Sequence, residues 1–295
     1  MPSVSIIIRS RNDMPLIAAV LAAIERQHYR DFELICADCS STDGTTEVLR
    51  RYSPAALLAI KPGEYVPGRV LNRAIQACSG EIIVFNNSDC IPMNQDWLGN
   101  LIRPLQSGTA DAVFGNQCPR ADAWPLVRKD YERAFGDGRI AAGWKHFFSL
   151  ATAAASKELL LRQPFDETLQ YSEDIEWSYR LKTLHYRIDY AADAMVEHSH
   201  NYTSQEVWKR FYNEGVAEYA IFGPAHNFLS GFVCPWLRET GRDLGYLIRS
   251  GDFFAIPHGL VYRLQQKLAV WCGRRRAARA VSAINPVHGD GTTVS

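Results

Sequence analysis

Short apolar runs rich in β-branched residues alternate with helical patterns through the first 115 residues, and this alternation constrains the chain more than any other feature. Val4 to Ile8 reads as a buried strand. Asn12-Asp13 then offers a helix N-cap, with Pro15 near the first helical position. Ile17, Val20, Leu21 and Ile24 follow at helical spacing. Phe32 to Ala37 is a second strand, and Thr42-Asp43-Gly44 is turn chemistry opening a helix through Val48-Leu49. Ala56 to Ile60 gives a third strand, Pro67-Gly68 a loop, and Val70 to Ala77 a helix. Glu81 to Phe85 is a strongly apolar fourth strand, followed by a helix over Asp96 to Leu105 and a strand over Ala110 to Gly115. Strands joined by helices form βαβ units around a mostly parallel sheet. Ligands of such sheets bind beyond the carboxyl ends of the strands. Those ends carry Arg9-Ser10-Arg11-Asn12, Asp38-Cys39-Ser40-Ser41 and Asn87-Ser88-Asp89.

Residues 116–203 are mixed in character and form the second half of the domain that begins at residue 1. A helix is predicted over Glu173 to Leu184. Residues 204–284 read as mainly helical, and the Gly/Thr/Ser-rich tail 285–295 as disordered. Lys+Arg and Asp+Glu both total 32, so the balance does not suit a surface built to neutralise nucleic-acid phosphates. The 7 cysteines are odd in number and scattered, which reads as reduced thiols in a cytoplasmic protein. The Cys36–Cys39 CxxC lacks the second ligand pair or helix N-terminus that zinc or redox chemistry needs. The opening apolar run stops at Arg9, without a cleavage site, and no apolar run of about 18 residues occurs.

Several polar groups can carry chemistry. Asp38, at the end of a strand, can accept the N–H of a pyrimidine or cap the next helix; Asp43 reads as a cap. The oxygens of Asn87-Ser88-Asp89 can hold a divalent cation beside a diphosphate, although many turns share this pattern. Glu173-Asp174 opens a helix, where the dipole favours acids, and a carboxylate there can also act as a general base. His198 and His200 lie two residues apart on an extended stretch and point to the same side. One of them can complete a metal site, or both can be solvated or hydrogen-bonded. The stretch from Arg263 to Arg279 holds Lys267, Arg274, Arg275 and Arg276 as well, with no acid among them. It is either a solvated helix face or a contact for anionic headgroups, and exposure of Leu264, Leu268 and Trp271 together would favour the second.

Taken in order, these segments resemble the family 2 glycosyltransferases. Val4 to Asn12 is similar to the opening strand and its polar turn, and Glu33 to Thr45 to the nucleoside-binding segment. Gly80 to Asp89 resembles the segment ending in a DXD motif, and Pro164-Phe165-Asp166-Glu167 through Glu173-Asp174-Ile175-Glu176-Trp177 the acceptor-side ED segment. Pro67 to Ile75, Gly115 to Arg120 and His198 to Tyr202 are similar to bacterial polysaccharide enzymes often labelled rhamnosyltransferases.

The resemblance implies a GT-A fold and an inverting, metal-dependent transferase of bacterial surface polysaccharide synthesis. It implies a nucleotide-diphosphate donor, such as dTDP-rhamnose or a UDP-sugar, and a glycan or lipid-linked acceptor. Ser10, Arg11, Asp38, Asn72, Asn87, Ser88 and Asp89 would bind the donor. Asp89 and His198 would hold Mg²⁺ or Mn²⁺. Asp174 would be the base, with Glu173 as runner-up, and Trp177 would stack on an acceptor sugar. A lipid-linked acceptor also fits a peripheral place at the inner face of the membrane. Asn87 departs from the family's first DXD acid, and Cys39-Ser40 from its Asp-Gly. The departure at Asn87 keeps open a catalytically inactive docking protein on the same fold. A nucleotidyltransferase is disfavoured by the absence of glycine from the loop after the first strand, and an NAD enzyme by the lack of G-x-G-x-x-G there.

Overall fold

The computed structural model describes residues 2–144, 146–223 and 227–284, so the tail expected to be disordered lies outside the described residues. The chain divides into one compact unit through Asn201 and a second from Tyr202 onward.

The first unit begins β1 Val4–Ser10, α1 Leu16–Glu25, β2 Phe32–Asp38, α2 Thr45–Arg51, β3 Ala56–Ala59 and α3 Pro67–Ala77. It continues β4 Ile82–Asn86, β5 Ile91–Pro92, α4 Trp97–Gln106, β6 Ala112–Cys118, α5 Pro125–Ala134 and α6 Arg139–Ala142. It ends β7 Thr152–Ser156, α7 Lys157–Arg162, α8 Glu173–Thr183 and β8 Ile188–Glu197. The strands form one eight-stranded sheet in the order β3-β2-β1-β4-β7-β6-β8-β5. Pairs β1–β2, β2–β3, β1–β4 and β6–β8 are parallel, whereas β7 runs antiparallel between β4 and β6.

Side chains alternate between two cores, as expected of a sheet covered on both faces. Ile6, Ile8, Leu21, Ile24, Trp97 and Leu101 fill one, and Ile7, Ile35, Leu71, Phe85, Phe165 and Trp177 the other. β1 runs past the expected Ile8 because its pairing with β2 continues through Arg9↔Ala37 and Ser10↔Asp38. The ladder thus carries polar residues to the rim. The helix α3 starts at Pro67, earlier than expected, because Pro is tolerated in a first turn whose N–H groups have no intrahelical partner.

The second unit holds α9 Ser204–Phe222, α10 Cys234–Ser250 and α11 Ile256–Ile284. Thr203 and Glu206 form a capping box at the start of α9. The basic stretch is not a uniform solvated face. Arg263 is buried, with Nε 2.6 Å and Nη2 3.0 Å from the Asp243 carboxylate and Nη1 donating to Gln266. Arg274 pairs with Glu218 at 2.9 Å, and Arg275 lies over the Trp271 ring. Of the apolar residues whose joint exposure would favour a headgroup contact, Leu264 is exposed, while Leu268 and Trp271 are half-buried. No helix among the described residues is long and apolar enough to cross a membrane.

Candidate active site

The rim is built by the turns that leave β1, β2 and β4. Asp38 closes β2 and is buried. Its Oδ1 accepts from the Ser41 hydroxyl at 2.6 Å and the Ser10 hydroxyl at 3.3 Å. Its Oδ2 accepts from Ser41 N and the Thr46 hydroxyl. Of the two roles open to Asp38 in the sequence, the observed contacts are those of a turn cap. Ser10 is buried beside it, whereas Arg11 is exposed. Asp43 accepts from Met14 N and Thr45 N, and Gly44 holds φ +98, a left-handed conformation that side-chain-bearing residues rarely adopt.

A tighter constellation stands where β4 and β8 end. The Asp89 Oδ2 lies 3.1 Å from His200 Nε2 and 3.4 Å from His198 Nε2, and the two Nε2 atoms are 3.1 Å apart. Burial pushes the Asp89 carboxyl up, but the hydrogen bonds and charges of the two imidazoles outweigh it and hold the group well below the carboxylate range. Cys90 Sγ is also near, but it is wholly buried, and burial keeps its thiol protonated. Bonds of about 2.1 Å to a six-coordinate ion place neighbouring donors about 3 Å apart. One carboxylate oxygen and two imidazole nitrogens at these separations fit a divalent cation.

The surroundings fix this cluster. Gln117 is buried; its amide N–H donates to Ser149 Oγ at 2.8 Å, and its Oε1 lies 2.8 Å from His198 Nδ1. Arg120 donates to the Asp89 carbonyl and to the Ser199 carbonyl, both at 2.7 Å, and so ties the two turns together. Ser88 is buried, with its hydroxyl turned to Asp13 Oδ2 at 2.6 Å. Burial, and behind it the charges of Asp89 and Asp43, push the Asp13 carboxyl up. Asn87 stands half-buried at the head of the turn, its N–H bound to the Ala151 carbonyl at 2.9 Å.

The acid pair at the start of α8 is split by its surroundings. Glu173 is buried, and its Oε1 lies 3.0 Å from Arg9 Nη1. Asp174 is half-buried, with Ile175 N at 2.9 Å from Oδ1 and Leu150 N at 3.5 Å from Oδ2. Burial, then the Glu173 charge, push the Asp174 carboxyl up to about 7. The preceding Ser172 has φ +60, a costly conformation for serine at the entrance to the helix.

Two expectations change. Trp177 is wholly buried, packed between Phe148 and Phe165, and its indole N–H donates to the Gln163 carbonyl at 2.7 Å. It is a core residue, with no face for an acceptor sugar. Asn72 is held by the 165–167 loop: Nδ2 donates to the Phe165 carbonyl and Glu167, while Oδ1 accepts from Phe165 N. It lines a cavity of about 400 Å³ with Ile75, Gln76, Leu161, Pro164 and Glu167, which includes no residue of the Asp89 cluster. Gly68 completes the seam, because a Cβ there would stand 2.2 Å from the Asp166 carbonyl. The Pro67-to-Asn72 motif therefore grips the loop that leads to α8.

The roles of Arg9, Asp13, Gln117 and Arg120 at the site are not readable from spacing, because each reaches its partner from a separate segment across the sheet. The resemblance implies His198 alone as a ligand, although His200 shares its two-residue spacing.

The family model described as "Glycosyl transferase family 2" matches residues 5–164. The chain belongs to glycosyl transferase family 2. This glycosyltransferase is 28% identical over 263 residues to the O-antigen chain rhamnosyltransferase WbaN of Salmonella anatum, covering 85% of this chain and 82% of that protein. It is 27% identical over 282 residues to the O-antigen chain rhamnosyltransferase RfbN of Salmonella typhimurium, covering 92% and 89%. Among solved structures it is similar to the mannosyltransferase PcManGT from Pyrobaculum calidifontis in complex with GDP-Man and Mn²⁺. That likeness has a TM-score of 0.66 at 20% identity and covers 94% of this chain and 87% of the other. The fold of the glycosyltransferase is GT-A.

Proposed function

We propose that this protein transfers a sugar, with inversion, from a nucleotide-diphosphate donor to a hydroxyl of a glycan or lipid-linked acceptor. Similarity to two O-antigen chain rhamnosyltransferases supports dTDP-rhamnose as a donor and surface polysaccharide as the product class. The observation that carries the reading is the separation of the α8 acids: Arg9 pairs with Glu173 and leaves Asp174 half-exposed, its carboxyl raised to about 7 by burial and then by the Glu173 charge. A carboxylate poised near working pH is what a general base requires.

Asp174 takes the proton as the acceptor oxygen bonds to the anomeric carbon. The bond from that carbon to the diphosphate breaks, and its electron pair leaves with the diphosphate. Asp89 and His198 would hold Mg²⁺ or Mn²⁺, and the ion would offset the charge gathering on the leaving group. Asp38, Ser10 and Arg11 would line the nucleoside pocket, and Asn87 and Ser88 would form the turn beside the diphosphate.

In the second unit, Ile248, Phe253, Phe254, Leu260, Val261 and Leu264 are exposed, which supports a peripheral membrane contact suited to a lipid-linked acceptor. The charge lost at Asn87 favours a second reading, an inactive docking protein. A thermal-shift panel of UDP-, dTDP- and GDP-sugars, with and without Mn²⁺, separates the two. Metal-dependent stabilisation by one donor supports the transferase. No shift with any donor supports the docking protein.

A further inference from the structure

The notable feature of the Asp89 cluster is its second imidazole. His200 Nε2 is closer to Asp89 Oδ2 than His198 Nε2 is, at 3.1 Å against 3.4 Å. The side chain of His200 is 38% exposed, so this face of the cluster opens to solvent, while His198 forms the wall at 10%. Gln117 sets the direction of His198. Its amide N–H is directed to Ser149, so its Oε1 accepts the Nδ1–H of His198. Nε2 of His198 then faces Asp89 and His200, and in the neutral imidazole it carries the lone pair. A ligating histidine commonly has its other ring nitrogen anchored in this way.

We infer that His200 is a third metal ligand, so that the site is one carboxylate and two imidazoles and prefers a first-row transition ion to Mg²⁺. This inference rests on the metal-bearing donor site proposed above. Mg²⁺ takes oxygen ligands and water, whereas imidazole nitrogen suits transition ions, with affinity rising from Mn²⁺ through Co²⁺. Asn87 fits the same logic. It carries no charge where the family's motif has an acid, so the turn offers one charged oxygen, that of Asp89, and fewer of the donors that serve Mg²⁺ best. Arg120 keeps the arrangement together, since it grips the backbone at Asp89 and at Ser199, between the two histidines.

The alternative is a plain hydrogen bond, in which His200 donates to Asp89 and no ion is bound through it. Metal binding without any donor separates the two. Full-length protein is titrated with Mn²⁺ by electron paramagnetic resonance and with Co²⁺ by visible absorption, each with and without tenfold Mg²⁺. Wild type, His200→Ala, His200→Gln and Asp89→Asn are compared. Thermal melts check the fold, and His200→Gln covers the case in which alanine unfolds the turn.

The expected result is Mn²⁺ and Co²⁺ binding that survives the Mg²⁺ excess. Pulsed resonance should show two coordinated imidazole nitrogens in wild type and one in His200→Ala. Loss of His200 should weaken Mn²⁺ by about tenfold or more, at least the effect of removing an outer-shell partner, and leave Mg²⁺ affinity little changed. Wild-type Mn²⁺ affinity and two nitrogens in a folded His200 variant would overturn the inference and leave the metal site standing. Failure of wild type to bind either transition ion would instead remove the metal from the proposed function.

Discussion

Arg9 Nη1 lies 3.0 Å from Glu173 Oε1, and this contact joins the end of β1 to the start of α8. It pairs one of two adjacent acids, and the other, Asp174, is the proposed base. Asp174→Asn should therefore slow transfer by a factor of about 10²–10⁴, the range for loss of a positioned base. Glu173→Gln should cost less in rate and more in stability, because it strands the Arg9 charge. Steady-state kinetics beside thermal melts of both variants check this division.

The raised carboxyl of Asp174 gives two pH expectations of opposite sense. Activity requires the ionised base, so kcat/KM should rise with pH and level off above about 7. Stability runs the other way. The folded state holds this proton more tightly than the unfolded chain, so the contribution is present at low pH and fades as pH rises toward about 7. Asp174→Asn should accordingly melt at least as high as wild type at pH 8. A lower Tm for the variant at that pH would contradict the assignment.

Much of this frame is legible in the sequence. The apolar runs at Val4–Ile8 and Glu81–Phe85 announce buried strands of a mostly parallel sheet, and Glu173-Asp174 announces an acidic helix start. Strand β7 is not legible, because its centre, Ala153-Ala154-Ala155, lacks β-branched bulk. Its identity comes from β4 and β6 on either side, where small side chains let the sheet be covered closely. Trp177 was expected at an acceptor face, yet α8 turns that side of the helix onto Phe148 and Phe165. The roles of Arg9, Gln117 and Arg120 depend on contacts across long stretches of chain, which spacing in the sequence does not encode.

Asn72→Ala distinguishes a donor ligand from a loop anchor. The substitution leaves the Phe165 N–H without its acceptor, a loss of about 1–3 kcal/mol for a buried group. Chemical denaturation should show that loss, and KM for the donor should stay near the wild-type value. A large rise in donor KM without loss of stability would return Asn72 to the donor site.

Arg263→Met should destabilise the second unit by about 3–5 kcal/mol, because it removes the guanidinium that binds both oxygens of the buried Asp243 carboxylate. The double variant Arg263→Met with Asp243→Leu should recover most of that loss. Denaturant midpoints of the three variants measure the difference. Equal loss in the single and double variants would contradict a buried pair as the organising contact between α10 and α11.

Asn87→Asp adds an acid to the turn that carries Asp89. Apparent metal affinity should rise, while turnover at saturating metal should stay unchanged. Metal titration of the transfer rate provides both numbers, and a large gain in saturated turnover would show that Asn87 limits catalysis in the natural protein.

The most direct measurement is donor hydrolysis followed by proton NMR, with UDP-, dTDP- and GDP-sugars, Mn²⁺, wild type and Asp174→Asn. The expected result is slow consumption of one donor by wild type. The first released sugar should carry the inverted anomeric configuration, and the variant should be slower by about 10² or more. Consumption at the same rate by Asp174→Asn, or release with retained configuration, would contradict Asp174 as the base of an inverting transfer.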